Sequence, residues 1–223
     1  MTFRWWERWG PAAGVLSVAC FVVALLLFGS TPGSDDSDQK ILSYYADHAH
    51  QVRSIVGFFV LFAGLLLFLA FLSLLRGRLV DAEGAPGRLS ALAFAGGVAS
   101  TMLLMAANAL GAAPAVVVNE TSKFTLDPDT YRLFNDLSYL FLISGVMTAI
   151  ALVATTSFLV MRTRAVFPRW FAWFGYFAAL TFVVAVFFFP FLILWLWILL
   201  ASLLMLLWRP RAASGPSPAQ PTP

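Results

Sequence analysis

Charge is scarce in this chain. Only 11% of its 223 residues are Asp, Glu, Lys or Arg, against roughly 25% in soluble domains, while 61% are hydrophobic and 16% aromatic. That balance excludes an ordinary soluble domain and predicts an integral membrane protein. Cysteine is nearly absent as well: Cys20 stands alone, which excludes an internal disulfide, dithiol redox chemistry and a thiolate metal cluster. No basic run is long enough to track phosphates, so nucleic acid is excluded as a partner. The lysines, Lys40 and Lys123, and the histidines, His48 and His50, all lie outside the apolar runs. No side chain is therefore set inside the membrane to hold haem or retinal, and neither a Gly-rich phosphate loop nor a Ser/His/Asp grouping is present. No cofactor and no metal are expected.

What remains is long hydrophobic stretches. A span needs about 20 mostly apolar residues to cross ~30 Å of hydrocarbon, and the sequence offers six, near 11–29, 55–75, 89–113, 131–161, 170–188 and 191–208. Residues 1–10 read as a cytosolic segment. The first span has the basic start and apolar body of an export signal, but its body exceeds the usual length of about 7 to 15 residues and predicts a retained anchor. Residues 168–208 carry no polar loop, yet a single helix over them would measure roughly 60 Å, twice the bilayer. Pro190, after Phe187, Phe188 and Phe189, predicts a helical hairpin with an apolar turn. The tail over 209–223, rich in Pro, Ser and Ala, cannot bury a core and is expected to be disordered.

Arginine and lysine sort unevenly between alternate loops. One side receives Arg4, Arg8, Arg76, Arg78, Arg88, Arg162, Arg164, Arg169, Arg209 and Arg211; the other receives Lys40, Arg53, Lys123 and Arg132. The arginine-rich side is cytosolic by the positive-inside rule, which puts both termini in the cytosol. Aromatic residues agree, with Trp5, Trp6, Trp9, Trp170, Trp173 and Trp208 at the inner interface and Tyr44, Tyr45, Tyr131 and Tyr139 near the outer one. The fold class predicted is all-α: a polytopic bundle of six membrane helices.

The third span repeats small residues every fourth position, Ala93, Gly97 and Thr101 on one track and Gly96 and Ser100 on another. Such tracks let backbones approach closely and predict a central position. Spans two, five and six, crowded with Phe, Leu and Trp, are expected at the periphery. The fourth carries Asn135, Ser138, Ser144, Gly145, Thr148 and Thr155, a polar stripe suited to packing on the third.

Candidate site residues gather on the outer side. Residues 37–54 read as one amphipathic helix, with Ile41, Tyr44, Tyr45, His48, Val52 and Ile55 on one face and Ser43, Asp47, His50 and Ser54 on the other. His48 and His50, two apart, point in nearly opposite directions and cannot share a metal; Asp47 and His50, three apart, form only a two-ligand fragment. Asp136 begins the fourth span and needs a partner, for which Arg132 and Arg53 are the candidates for a structural ion pair. Asn108, on the third span, is expected to cross-link helices by hydrogen bonds. Tyr44, Tyr45, Asp47, His48, His50, Arg53, Asn108, Asp136 and Tyr139 together make up the expected outer contact surface.

The segments FGSTPGSDDSDQKILSYYADHAHQVRSIVGFF, LAFAGGVAS, FTLDPDTYRLFNDLSYL and FPRWFAWFGYFAAL, in that order, resemble six-span membrane proteins of high-GC Gram-positive bacteria, over about Ala12 to Trp208. The resemblance implies a bacterial plasma-membrane location and the same layout, and brings no assigned activity. The expectation is a non-enzymatic membrane protein that binds a lipid, a small molecule or a protein partner at its outer face. Membrane lipids are the first partners expected, then another protein or a second copy. A transporter or channel subunit is the runner-up, opposed by the lack of charges within the spans. An enzyme would have to draw its acid or base from Asp47, His48, His50 and Asp136.

Overall fold

The structure, a computed structural model, describes residues 10–29, 31–121, 124–163 and 166–207. All but the last residue of the segment expected to be cytosolic over 1–10, the tail over 209–223, and Trp5, Trp6, Trp9 and Trp208 lie outside the described residues. The described chain is all-α. Its seven helices are α1 (Ala12–Phe28), α2 (Asp38–Ala46), α3 (His48–Glu83), α4 (Arg88–Glu120), α5 (Pro128–Thr163), α6 (Arg169–Phe182) and α7 (Phe189–Leu207). Four of them, α3, α4, α5 and α7, are long and apolar enough to cross a membrane, and α1 is a shorter apolar helix.

Six helices follow one another around a ring. Helix α1 packs on α3, α3 on α4, α4 on α5, α5 on α6, α6 on α7, and α7 returns to α1; the short α2 rests against α3, α4 and α5. Large apolar side chains point outward from the ring, among them Leu26, Phe59, Leu66, Leu140, Phe177 and Leu180. So extensive an apolar exterior suits hydrocarbon rather than water.

Small residues set the spacing where helices cross. A Cβ on Gly96 would stand 2.6 Å from the Ala151 Cβ and 3.0 Å from the Leu152 amide nitrogen, so α4 and α5 touch backbone to backbone there. Gly97, one residue on, faces Leu72 of α3 instead. The two small-residue tracks of the third span therefore serve two different neighbours. At the crossing of α1 with α3, the Ser17 hydroxyl donates to the Gly64 carbonyl at 2.7 Å, and a Cβ on Gly64 would meet the Cys20 side chain at 2.8 Å. Of the polar stripe of α5, Ser138 and Gly145 face α4, Ser138 Oγ donating to the Ala107 carbonyl at 2.8 Å, whereas Ser144 and Thr148 donate to carbonyls of their own helix.

The hairpin falls where Pro190 predicted it. Helix α6 stops at Phe182, residues 183–188 turn, and Pro190 occupies the first turn of α7, where its missing N–H costs no helical bond. Phe187, Phe188 and Phe189 stand exposed at this turn. The expected peripheral position of the last helix is corrected by the structure. Leu194, Trp197, Ile198 and Ala201 of α7 are fully buried, and Trp197 packs on Phe171 with ring centroids 5.5 Å apart. A membrane helix rich in Leu and Trp is equally at home against lipid and against protein, so composition did not decide its place.

A second correction concerns residues 37–54, which are not one helix. Helix α2 ends at Ala46, and Asp47, with extended backbone, starts a new helix by accepting the Ala49 amide at 2.9 Å on its carboxylate. Aspartate is among the best N-caps, and here that preference outweighs the continuous apolar stripe. The stripe divides accordingly: Ile41, Tyr44 and Tyr45 are buried, whereas His48 and Val52 are exposed on α3. Helix α3 then runs unbroken to Glu83, well past both ends of the span expected over 55–75. Beyond its end, the Glu83 carboxylate accepts the amides of Leu89 and Ser90 at 2.9 and 2.8 Å and caps α4, whose own N-cap, Gly87, has no side chain to do so. The Ser90 hydroxyl and these amides hold the Glu83 carboxyl below its ordinary range.

Candidate ligand cavity

The α2 end of the ring is tied down from α5. Arg132 reaches across to the chain between α1 and α2: its Nε donates to the Ser34 carbonyl at 3.0 Å and its Nη2 to the Asp36 carbonyl at 3.1 Å and the Asp38 carboxylate at 2.6 Å. Its Nη1 meets Asp129 at 2.9 Å. One turn on, Asn135 donates to Ser34 Oγ at 2.8 Å, and that hydroxyl in turn donates to Asp136. The Tyr131 hydroxyl donates to the Pro32 carbonyl. The planar guanidinium suits this task, because its fixed fork satisfies several acceptors at once.

Above these ties Ile41, Tyr44, Tyr45, Ala115, Leu126 and Tyr131 form a small core of their own, separate from the main one. Burial raises the Tyr45 hydroxyl well above the ordinary phenol value, and the neighbouring Tyr131 and Tyr44 act in the same direction. The folded state thus holds this proton more tightly than the unfolded chain, so its stabilising contribution is complete below pH 10.0 and fades as pH rises beyond it. Thermal melts between pH 9 and pH 12 should accordingly show a steeper alkaline loss for the native chain than for Tyr45→Phe. Equal slopes would mean that Tyr45 ionises freely in the folded protein. At the acidic end Asp36 is held below its ordinary value by Lys40, 2.8 Å away, and by the Gly33 amide.

Several expected site residues have roles other than those predicted. Asp136 pairs with neither Arg132 nor Arg53: it is exposed and accepts from Ser34, while Arg132 is engaged by Asp38 and Asp129. Arg53 is exposed and makes no ion pair among the described residues. The carboxylate found a hydroxyl donor in a loop that spacing along one helix does not reveal. His50 stacks on Tyr44 at 4.3 Å, and its Nδ1 stands 3.5 Å from the Asp47 carboxylate. His48 is exposed. Asp47 and His50 meet at the junction of α2 and α3, and Asp136 makes its contact with Ser34. Among the described residues, no three His, Cys, Asp or Glu side chains gather where a metal ion fits. Tyr139 donates from its hydroxyl to the Val186 carbonyl and fastens the α6–α7 turn to α5.

Asn108 does cross-link helices, donating from Nδ2 to the Phe58 carbonyl of α3 at 3.0 Å. It also lines a cavity of about 210 Å³ inside the ring, a feature no local pattern in the sequence marks. Phe21, Phe28, Phe188, Phe191 and Trp195 supply aromatic walls, and Leu61, Leu65, Leu104 and Leu142 complete them. Polar groups stand toward the α2 end, from Thr31, Ser54, Asn108, Asn135 and Ser138; among the described residues no charged side chain lines the cavity. From Ser54 to Leu65 the lining follows α3 for eleven residues, a depth of ~16 Å. Trp195, stacked on Phe21 at 4.4 Å and facing Phe68, lies at the deep end.

Three buried polar atoms on this lining have no hydrogen-bond partner in the described protein: Ser54 Oγ, Asn108 Oδ1 and Trp195 Nε1. Their residues are 4%, 7% and 2% exposed. Leaving such a group unsatisfied costs about 1–3 kcal/mol; among the described residues Tyr44, His50, Ser100, Thr156 and Trp197, which do not line the cavity, carry such atoms as well. For comparison, an apolar cavity of ~150 Å³ takes benzene. The arrangement suits an elongated, mainly apolar guest with an uncharged polar group. Leu25, Thr31, Gly111 and Phe188 are the cavity residues exposed on the surface; Leu25, Thr31 and Phe188 place a mouth between the α2-side ends of α1 and α7, while Gly111 lies on α4. No family model, curated protein or solved structure matches this chain.

Proposed function

We propose that this chain is a bacterial plasma-membrane protein of six spans, both termini cytosolic, that binds a lipid in the half of the ring facing outward and carries out no reaction on it. The observation carrying the reading is the uncharged, aromatic-walled cavity with unpartnered polar atoms. Support for six crossings comes from the ring itself, in which the shorter α1 packs between α3 and α7 and the shorter α6 between α5 and α7. The sorting of arginine gives the orientation, with Arg76, Arg78, Arg88, Arg162 and Arg169 at the end opposite α2. Transport is the weaker reading. Beyond the cavity Phe71, Leu72, Leu152, Phe171 and Trp197 are buried together with the hydroxyls of Ser100, Thr101, Thr156 and Ser202, and among the described residues no charged side chain is buried.

Native mass spectrometry of the gently extracted protein tests the binding reading. The expected spectrum contains the monomer with one retained lipid, lost when Ala107, a small cavity-lining residue, is enlarged to Phe. Recovery of bare protein, or of a stoichiometric protein partner without lipid, would count against it.

A further inference from the structure

We infer that the guest of this cavity is a single-chain lipid ending in a neutral hydroxyl, seated with the hydroxyl between Ser54 and Asn108 and the chain running toward Trp195. The inference rests on the lipid-binding reading above and narrows it to one chemical class.

Charge decides first. Among the described residues no Lys, Arg, His, Asp or Glu lines the cavity, so a carboxylate, phosphate or ammonium brought into it would lose water without gaining a counter-charge from them. Hydrogen-bond polarity decides next. With Nδ2 of Asn108 committed to the Phe58 carbonyl, the free group on that side chain is Oδ1, which only accepts. A guest offering only acceptors, such as an ester or a ketone, leaves Oδ1 unsatisfied. Ser54 Oγ both donates and accepts, so one hydroxyl satisfies both side chains once a small rotation of each brings these buried atoms to the cavity surface. Shape decides last. About 210 Å³ spread over a depth of ~16 Å leaves width for one hydrocarbon chain and not two. The mouth opens beside the exposed apolar side chains of Leu25 and Phe188, a setting that suits membrane lipid as the source of the alcohol.

The test uses the full-length protein in vesicles of phosphatidylcholine and phosphatidylglycerol, with three probes bearing the same mid-chain diazirine: dodecanol, dodecanoic acid at pH 8, and dodecane. After photolysis the labelled peptides are mapped by mass spectrometry. Dodecanol is expected to label the Phe21–Phe28 and Leu61–Leu65 peptides saturably, with excess unlabelled dodecanol suppressing the signal, and the other two probes at least about tenfold less. Ser54→Ala, a small change, should lower saturable dodecanol labelling about fivefold, and Asn108→Leu about tenfold or more. Labelling by the acid or the alkane equal to that by the alcohol would overturn the hydroxyl assignment while leaving lipid binding intact. Full dodecanol labelling in Ser54→Ala and Asn108→Leu would overturn it too. Absence of saturable labelling by all three would defeat the underlying lipid-binding reading as well.

Discussion

Gly96→Leu should prevent α4 and α5 from closing, leaving a protein that aggregates on extraction or melts far below the native chain. The obstacle is backbone rather than a yielding side chain. Even the first added carbon would lie 3.0 Å from the Leu152 amide nitrogen and 2.6 Å from the Ala151 Cβ, and the remaining carbons have nowhere to turn. Overpacking a tight site typically costs about 1–3 kcal/mol, and a leucine at a backbone contact belongs at or above the upper end. Gly96→Ala should fall within that range. Gly77 provides the contrast, since a Cβ there meets nothing within 4 Å. On α3, Gly77→Ala should be neutral or stabilise by about 0.5–1 kcal/mol through helix propensity alone. The check is a set of thermal melts in one detergent. If the changes at Gly96 and Gly77 had the same small effect, the close α4–α5 approach would not exist in solution.

Replacing Arg132 should release the whole cover at the α2 end. Two backbone carbonyls and two carboxylates meet on that one guanidinium, from Ser34, Asp36, Asp38 and Asp129. No lysine reproduces the fork: an ammonium reaches one or two of these acceptors but not all four. In Arg132→Ala, amide hydrogen exchange across residues 31–46 is expected to rise about tenfold or more while the ring helices keep their protection. Arg132→Lys should fall between Ala and the native chain. Unchanged exchange in Arg132→Ala would mean that the small core around Ile41, Tyr45 and Tyr131 holds the cover unaided. Since Thr31 and Asn135 line the cavity and Asn135 is bonded to Ser34, loosening the loop should also weaken retention of bound lipid.

How much of this was written in the sequence depends on the range over which each signal acts. Local signals carried well. Pro190 marked the hairpin because a proline limits its own backbone and that of its predecessor. The small-residue tracks of α4 marked its helix contacts because only small side chains let two backbones meet. Asn108 was legible as a cross-link, since a buried amide requires a partner. Signals that depend on which helix stands opposite did not carry. Trp197 and Leu194 look no different from lipid-facing residues, because a membrane interior and a protein core are equally apolar. The partner of Asp136 lay in a loop about a hundred residues away. Asp47 weighed little against a continuous apolar stripe, yet its carboxylate divides α2 from α3. The cavity was the least legible, since it is bounded by five helices that never come together in sequence.

Cysteine accessibility in intact cells tests the central arrangement most directly. In a Cys20→Ser background, single cysteines at Asp35, Asp81 and Ser214 report, in turn, the α2 cover, the opposite end of α3 and the chain beyond α7. With a membrane-impermeant maleimide, the account predicts labelling of Asp35→Cys on intact cells, and of Asp81→Cys and Ser214→Cys only after permeabilisation. Labelling of Asp81→Cys from outside would invert the protein, and labelling of Ser214→Cys from outside would make the number of crossings odd. Either result would contradict an outward-facing cover over a cavity open to the outer leaflet.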